Sequence, residues 1–95
     1  MLKVYVVRRP DTREYKIGVS KNPLYRLGQL QWAHAVPLEL VLTFDGSYGG
    51  ERAMHKQFHR YRMLGEWFRE SPEILEWIER VRGRIARGEM TDEPL

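Results

Sequence analysis

The chain has 95 residues, a length that predicts a single small domain. It is 42% hydrophobic and 12% aromatic, which excludes a disordered chain, and it has no cysteine, which excludes disulfides and thiolate chemistry. No apolar run approaches the length of a membrane span and no signal peptide is evident. We therefore expect a cytoplasmic protein that has no membrane partner.

The charge is uneven along the chain. The net charge is +3, but residues 89–95 carry three carboxylates and no base, so residues 1–88 carry +6. Twelve of the sixteen cations are arginine, the side chain best suited to bidentate phosphate contacts. Charge alone favours neither a nucleic-acid partner nor an ordinary basic protein. We expect one domain over residues 1–88 and an acidic, mobile tail over residues 89–95.

Alternating apolar and polar residues predict three strands. They cover residues 2–8, 14–19 and 38–44. Turn-forming residues 9–12 separate the first two, so we expect these strands to pair as an antiparallel hairpin. Tyr5 lies opposite Val4 and Val6 on its strand, where it could be core on a second covered face of the sheet.

Caps and helical spacing predict three helices. They begin at Asn22-Pro23, near Gly49-Gly50 and at Ser71-Pro72; the second runs from about Glu51 to Arg62, and the third ends near Gly88. Leu24, Leu27 and Leu30 have helical spacing, and apolar stripes predict the buried faces of the other two helices: Met54, Phe58 and Tyr61; Ile74, Ile78, Val81 and Ile85. The order β-β-α-β-α-α predicts an α+β fold in which a three-stranded sheet is flanked by helices.

Two polar residues of the second helix have no evident structural task. Glu51 opens the helix at the edge of its apolar face; complementing the helix dipole is the commoner reason for such an acid, but it could also hold a divalent cation. His55, one turn later, could carry a proton or bind phosphate. His55 and His59 could bind zinc, but the spacing lacks the metalloprotease glutamate, so zinc is disfavoured.

Further residues have both a structural and a functional interpretation. Lys16 could be a solvated strand residue, and Gly18 could mark a place where the backbone turns or closely approaches something. Trp67 and Phe68 are expected in the core rather than in base stacking, and the same two interpretations apply to Trp32 and Trp77.

In their order and spacing, several residues resemble the GIY-YIG nuclease superfamily, in particular its small phage and bacterial branch with KIG in place of YIG. They are Tyr5, Lys16-Ile17-Gly18, Asn22-Pro23, Arg26, Glu51 and Glu66-Trp67-Phe68. The resemblance covers about residues 2–78 and implies a small three-stranded antiparallel sheet flanked by helices. It implies metal-dependent hydrolysis of phosphodiester bonds, in DNA more than in RNA.

The resemblance also implies roles for individual residues. Tyr5 would help to activate the attacking water, Lys16 takes the place of the second motif tyrosine, and Gly18 lies beside the site. Arg26 would contact the scissile phosphate, and Glu51 would bind Mg²⁺ or Mn²⁺. A Lys16 cation close to Tyr5 would favour its phenolate form.

Other residues complete the expected site. His55 would assist proton transfer, and nucleic-acid contacts are expected from Gly18, Arg8, Lys21 and Arg62.

Three departures from the family pattern leave an alternative open. Lys3 and Val4 replace the Gly and Ile of the first motif, Leu30 stands where many relatives have His or Tyr, and no late Asn clearly matches. The chain could instead be a weakened module that binds nucleic acid or a partner protein without cleavage. An inhibitor or structural part would leave Arg26 and Glu51 unexplained. A domain this small has no evident separate recognition module, so we expect sequence specificity to be low or to come from a homodimer or a protein partner.

Overall fold

A computed structural model describes residues 2–89 and contains four strands, three α-helices and one short 3-10 helix. The strands are β1 (Lys3–Arg9), β2 (Glu14–Ser20), β3 (Glu39–Asp45) and β4 (Trp67–Arg69). The helices are α1 (Pro23–Gln31), α2 (Tyr48–Gln57), the 3-10 helix (His59–Tyr61) and α3 (Pro72–Ala86). The α+β class is confirmed. Of the predicted tail, Glu89 alone is described, and residues 90–95 lie outside the described residues.

The sheet is antiparallel, in the order β3-β1-β2-β4. The predicted hairpin is confirmed, because β1 pairs with β2 along their full length. The prediction of three strands was wrong, because Trp67–Arg69 adds a fourth strand against the outer edge of β2. This strand has three residues, too few for an alternating pattern to be visible in the sequence.

Both faces of the sheet are covered. The α2 and α3 side holds the main core, where Trp77 packs edge-on against Phe44 and Phe58. The other side holds a smaller cluster around Tyr5, with leucines of α1 packed against it. The expectation that Tyr5 belongs to a second covered face is confirmed. Among residues 2–89, no helix has both the length and the apolar character needed to cross a membrane.

Side-chain caps set the starts of the helices. The Asn22 side chain accepts a hydrogen bond from the Tyr25 amide at 3.1 Å, and Pro23 takes the first helical position, as predicted. Ser71 caps α3 in the same way. The start of α2, at Tyr48, lies just before the predicted start near Gly49-Gly50, because Ser47 caps the helix at the Gly50 amide. Its end was predicted too late, since the α-helix stops at Gln57 and the chain continues as the 3-10 helix.

The predicted buried face of α3 is confirmed, and the three leucines of α1 differ in their burial. In α3, Ile74, Ile78 and Val81 are buried. Leu24 of α1, however, is 70% exposed, and only the leucines at Leu27 and Leu30 pack on the sheet. Helical spacing of the three leucines therefore indicates the helix but does not mean that all three are buried.

Candidate active site

The site is centred on a cross-strand pair on the side of the sheet that α1 covers. Tyr5 of β1 lies opposite Gly18 of β2 and is almost fully buried. A Cβ at Gly18 would lie 2.5 Å from the Tyr5 hydroxyl oxygen. Of the two explanations offered for Gly18, close approach is the correct one, and the group that approaches is the tyrosine ring. Gly18 thus lets the Tyr5 phenol lie flat across β2.

The Tyr5 hydroxyl lies near charged side chains of α1, of α2 and of the loop before β4. Burial raises the pKa of Tyr5 above its ordinary value of 10.0, and the nearby guanidinium of Arg26 opposes this shift. The carboxylates of Glu66 and Glu51 raise the pKa further. Tyr5 is therefore a protonated phenol at neutral pH. The cation that favours the phenolate of Tyr5 is Arg26, and burial outweighs its effect.

Lys16 is buried and paired with a carboxylate. Its side chain is only 7% exposed, and its Nζ lies 2.7 Å from Oε1 of Glu66. The Nζ also lies 5.9 Å from the centre of the Trp67 ring, the cross-strand neighbour of Lys16 on β4. The interpretation of Lys16 as a solvated strand residue is wrong. Its ammonium fixes the position of a carboxylate.

Glu66 is the functional candidate that sequence reasoning left out of the site. It was noticed only as part of the Glu66-Trp67-Phe68 motif. Its place in the site depends on the pairing of β4 with β2, which sets Trp67 opposite Lys16 and brings the preceding glutamate to the lysine ammonium. This pairing is non-local, and the motif was the only signal in the sequence.

Three side chains form a group that could hold a cation. One oxygen each of Glu51 and Glu66 and one ring nitrogen of His55 lie within 4.8 Å of one another. The pKa of Glu51 is raised, first by burial and then by the negative charge of Glu66. Two carboxylates held this close repel each other, and a divalent cation between them would remove that repulsion. The donor set therefore fits a hard divalent ion.

A backbone contact fixes the protonation of one ring nitrogen of His55. Its Nε2 lies 2.8 Å from the carbonyl oxygen of Ile17. A carbonyl can only accept, so Nε2 carries the hydrogen and Nδ1 has the free lone pair in the neutral ring. The carbonyl is available because β4 pairs with β2 only as far as Lys16, leaving Ile17 without a partner on that strand. The His55 ring also packs edge-on against Phe68.

Arg26 reaches the site from the first turn of α1. Its guanidinium donates to Oε1 of Gln29 at 3.2 Å, which holds it on the helix surface. It is close enough to the Tyr5 hydroxyl to act on its pKa. The five predicted catalytic residues, Tyr5, Lys16, Arg26, Glu51 and His55, are thus brought together by β1, β2, α1 and α2. Gly18 lies among them.

The other predicted nucleic-acid contacts lie elsewhere. Arg8 is on the opposite face of β1, over the Tyr15 ring and 3.8 Å from carboxylate oxygens of Glu39 and Glu70. It is outside this site because side chains alternate along a strand. The Arg62 guanidinium donates to the Gly65 carbonyl oxygen at 2.8 Å, and Lys21 is exposed in the turn before α1.

His59 does not join His55, because α2 ends between them. It is exposed in the 3-10 helix, so the group around His55 is completed by Glu66 rather than by a second histidine. A histidine pair would have favoured zinc. The observed set, with two carboxylate oxygens, has the oxygen donors that magnesium and manganese prefer.

Comparison with known proteins gives one result. The profile of the T5orf172 domain, a nuclease-like phage domain, matches residues 3–85. No curated protein and no solved structure gives a significant match. The matched stretch contains every residue of the site described above.

Proposed function

The chain belongs to the T5orf172 domain family, and from that premise we propose that it is a divalent-metal-dependent endonuclease of the GIY-YIG type that acts on DNA. The observation that carries the proposal is the convergence of an arginine, a buried tyrosine, two carboxylates and a histidine. The arginine and the carboxylate pair have complementary roles in phosphodiester hydrolysis. The first binds an anionic phosphate, and the second binds the cation that helps to neutralise it.

Glu51 and Glu66 would hold Mg²⁺ or Mn²⁺, because hard divalent ions prefer oxygen ligands. When bound, the ion supplies charge neutralisation of the phosphodiester and of the leaving oxygen. The lysine ammonium at 2.7 Å keeps Glu66 in place without occupying both of its oxygens. Lys16 is thus a positioning residue in this proposal.

Arg26 and Tyr5 would bind the scissile phosphate. The guanidinium places donors against its non-bridging oxygens, where charge increases in the transition state. The raised pKa of Tyr5 keeps its hydroxyl protonated, so the phenol donates a hydrogen bond to the phosphate and is not the base. The tyrosine and the arginine together orient the phosphate over the carboxylate pair.

His55 would accept the proton of the attacking water at Nδ1. Its Nε2 is committed to the Ile17 carbonyl, so Nδ1 has the only lone pair of the neutral ring. The backbone contact also fixes the ring orientation, which a base needs for a directed proton transfer.

The test combines cleavage with metal binding. End-labelled single-stranded DNA, duplex DNA and RNA are incubated with magnesium, manganese or chelator, and Mn²⁺ binding is measured by calorimetry. Glu51→Gln should lose Mn²⁺ binding and at least about 100-fold in cleavage rate. His55→Gln keeps a donor for the Ile17 carbonyl; it should retain Mn²⁺ binding and lose cleavage. The control Glu76→Gln removes an exposed carboxylate of α3 and should change neither.

Two outcomes would contradict these assignments. Cleavage that persists in chelator or in Glu51→Gln would refute a metal-dependent site at this position. Loss of Mn²⁺ binding in His55→Gln would make His55 a ligand rather than the base.

A binding module without cleavage is the second candidate. Leu30 of α1 packs on the sheet, at a position where the resemblance expects a histidine or tyrosine, so α1 supplies no second proton donor there. A folded protein that binds DNA but cuts none of the three substrates in either metal would favour this candidate.

A further inference from the structure

The outer face of α1 exposes two aromatic rings. Trp32, at the end of the helix, is 93% exposed, and Tyr25 is 67% exposed. They are seven residues apart, so they lie on one line of the helix about 10 Å apart along its axis. The leucines at Leu27 and Leu30 face the other way, onto the sheet. Trp32 therefore belongs to no core among the described residues, and its exposure is unusual for a tryptophan.

The space between the two rings is open. Gly28 lies between them, and a Cβ built there would meet no atom within 4 Å. A shallow groove of about 440 Å³ runs along this part of the helix, lined by Gly28, Gln31 and Trp32. Gly28 contributes only backbone to this groove, because it has no side chain. A flat ring system could lie in it against Trp32.

The stretch of chain that carries these rings has charge of one sign. From Tyr15 to Leu38 the sequence contains no aspartate or glutamate, although acids are frequent in the rest of the chain. The same stretch contains Lys21, in the turn before α1, and Arg26, one residue after Tyr25. Neither forms an ion pair within 4.0 Å with any carboxylate of residues 2–89. Exposed aromatic rings on a stretch that carries cations without an ion pair and no acid are typical of surfaces that bind single strands.

We propose that the outer α1 surface, formed by Tyr25, Gly28 and Trp32, stacks unpaired bases of single-stranded DNA. Lys21 and Arg26 bind the phosphates of the same strand. DNA is chosen over RNA on the proposed nuclease function, which this inference deepens by naming the substrate as single-stranded. The rings are separated by roughly three base steps at 3.4 Å per step, so each can stack a different base of one strand.

The test uses the full chain, a fluorescein-labelled oligo-dT and a duplex of equal length, with binding measured by anisotropy. Trp32→Ala should weaken oligo-dT binding about tenfold, the range expected for loss of one base stack, and should change duplex binding by less than twofold. Binding of oligo-dT should also quench the tryptophan fluorescence of the wild type more than that of Trp32→Ala.

A pair of substitutions at Gly28 distinguishes the effect of an added charge on oligo-dT binding from the effect of an added side chain. The position is exposed and open, so Gly28→Glu and Gly28→Lys should both fold. Glutamate and lysine each have a higher helix propensity than glycine. Gly28→Glu places a carboxylate beside the strand and should weaken oligo-dT binding severalfold. Gly28→Lys should bind at least as tightly as the wild type. Equal behaviour of the two variants would overturn the proposal.

Other results would also overturn it. If Trp32→Ala binds oligo-dT with the same affinity as the wild type, Trp32 does not stack a base. A dimer in sedimentation that both Gly28 variants dissociate would show that the surface joins two copies of the chain. Tighter, Trp32-dependent binding of oligo-rU would assign the surface to RNA. Failure of the proposed nuclease is distinguishable, because Trp32-dependent binding of oligo-dT without any cleavage would refute the enzyme and support the surface.

Discussion

The two faces of the sheet are built for different purposes. The face toward α2 and α3 buries a continuous apolar cluster that includes Phe44, Phe58 and Trp77. The face toward α1 buries a small cluster around Tyr5 and includes a buried lysine. Burial of apolar surface stabilises the fold, whereas burial of polar groups usually costs stability unless they are paired. One face thus supplies most of the stability, and the other tolerates the polar residues of the site.

The largest expected effect comes from matched truncations on the two faces. Ile74→Ala removes a fully buried side chain from the main core and should lower the free energy of unfolding by about 3 kcal/mol. Leu27→Ala removes a half-buried side chain on the α1 side and should cost about 1 kcal/mol. Urea denaturation followed by circular dichroism measures both. Equal losses would show that the two faces contribute alike.

The Lys16–Glu66 pair should give an intermediate and asymmetric effect. The lysine side chain is 7% exposed and that of Glu66 is 43% exposed. Glu66→Gln leaves a buried ammonium with a weaker partner and should cost about 2 kcal/mol. Lys16→Met leaves a carboxylate that water can still solvate, and should be nearly neutral. Urea denaturation of the two single variants and of the double variant gives the comparison.

The same pair connects stability to function. Because Lys16 positions Glu66, Lys16→Met should fold normally but bind Mn²⁺ more weakly than the wild type. The double variant should be as stable as Lys16→Met alone, since it leaves no buried charge unpaired. A costly Lys16→Met with an inexpensive Glu66→Gln would reverse the expected asymmetry and show that the lysine serves the fold rather than the site.

Local signals predicted the parts of the molecule that local chemistry determines. The β1–β2 hairpin, the Asn22 cap and the buried stripe of α3 follow from turn residues, a capping side chain and helical spacing. β4 was missed because three residues show no periodicity, and its turn contains a left-handed glycine at Gly65 whose φ of 68° the sequence does not reveal.

The site was predicted only in part, because some of its residues are recognisable from local sequence and others meet only through strand pairing. Tyr5, Arg26 and Glu51 are recognisable because their spacing along the chain resembles a family motif. The contact between Lys16 and Glu66 joins residues fifty positions apart and depends on strand pairing. Exposure of Leu24 could not be predicted either, because helical spacing assigns residues to a face without fixing how wide the covered part of that face is.

The smallest expected effect is on the pH dependence of stability. The pKa of Glu51 is raised in the folded state, first by burial and then by Glu66. A carboxyl with a raised folded pKa binds more protons in the folded state than in the unfolded state, so its contribution is fully present below the ordinary glutamate pKa of 4.5 and is lost as pH rises through the folded value. At neutral pH the ionised Glu51 should therefore destabilise the fold, by less than about 1 kcal/mol because solvent screens a partly exposed group.

Glu51→Gln should then be more stable than the wild type at pH 7, and this advantage should shrink as the pH falls toward 4.5. Paired urea denaturations across that range measure the difference, and Glu76→Gln serves as the control for loss of an exposed carboxylate. Addition of Mg²⁺ should stabilise the wild type at pH 7 and leave Glu51→Gln unchanged, because the cation removes the repulsion between Glu51 and Glu66. If Glu51→Gln is instead less stable than the wild type at pH 7, the glutamate serves the helix dipole of α2, and the polar face of the sheet carries no stability cost at this residue.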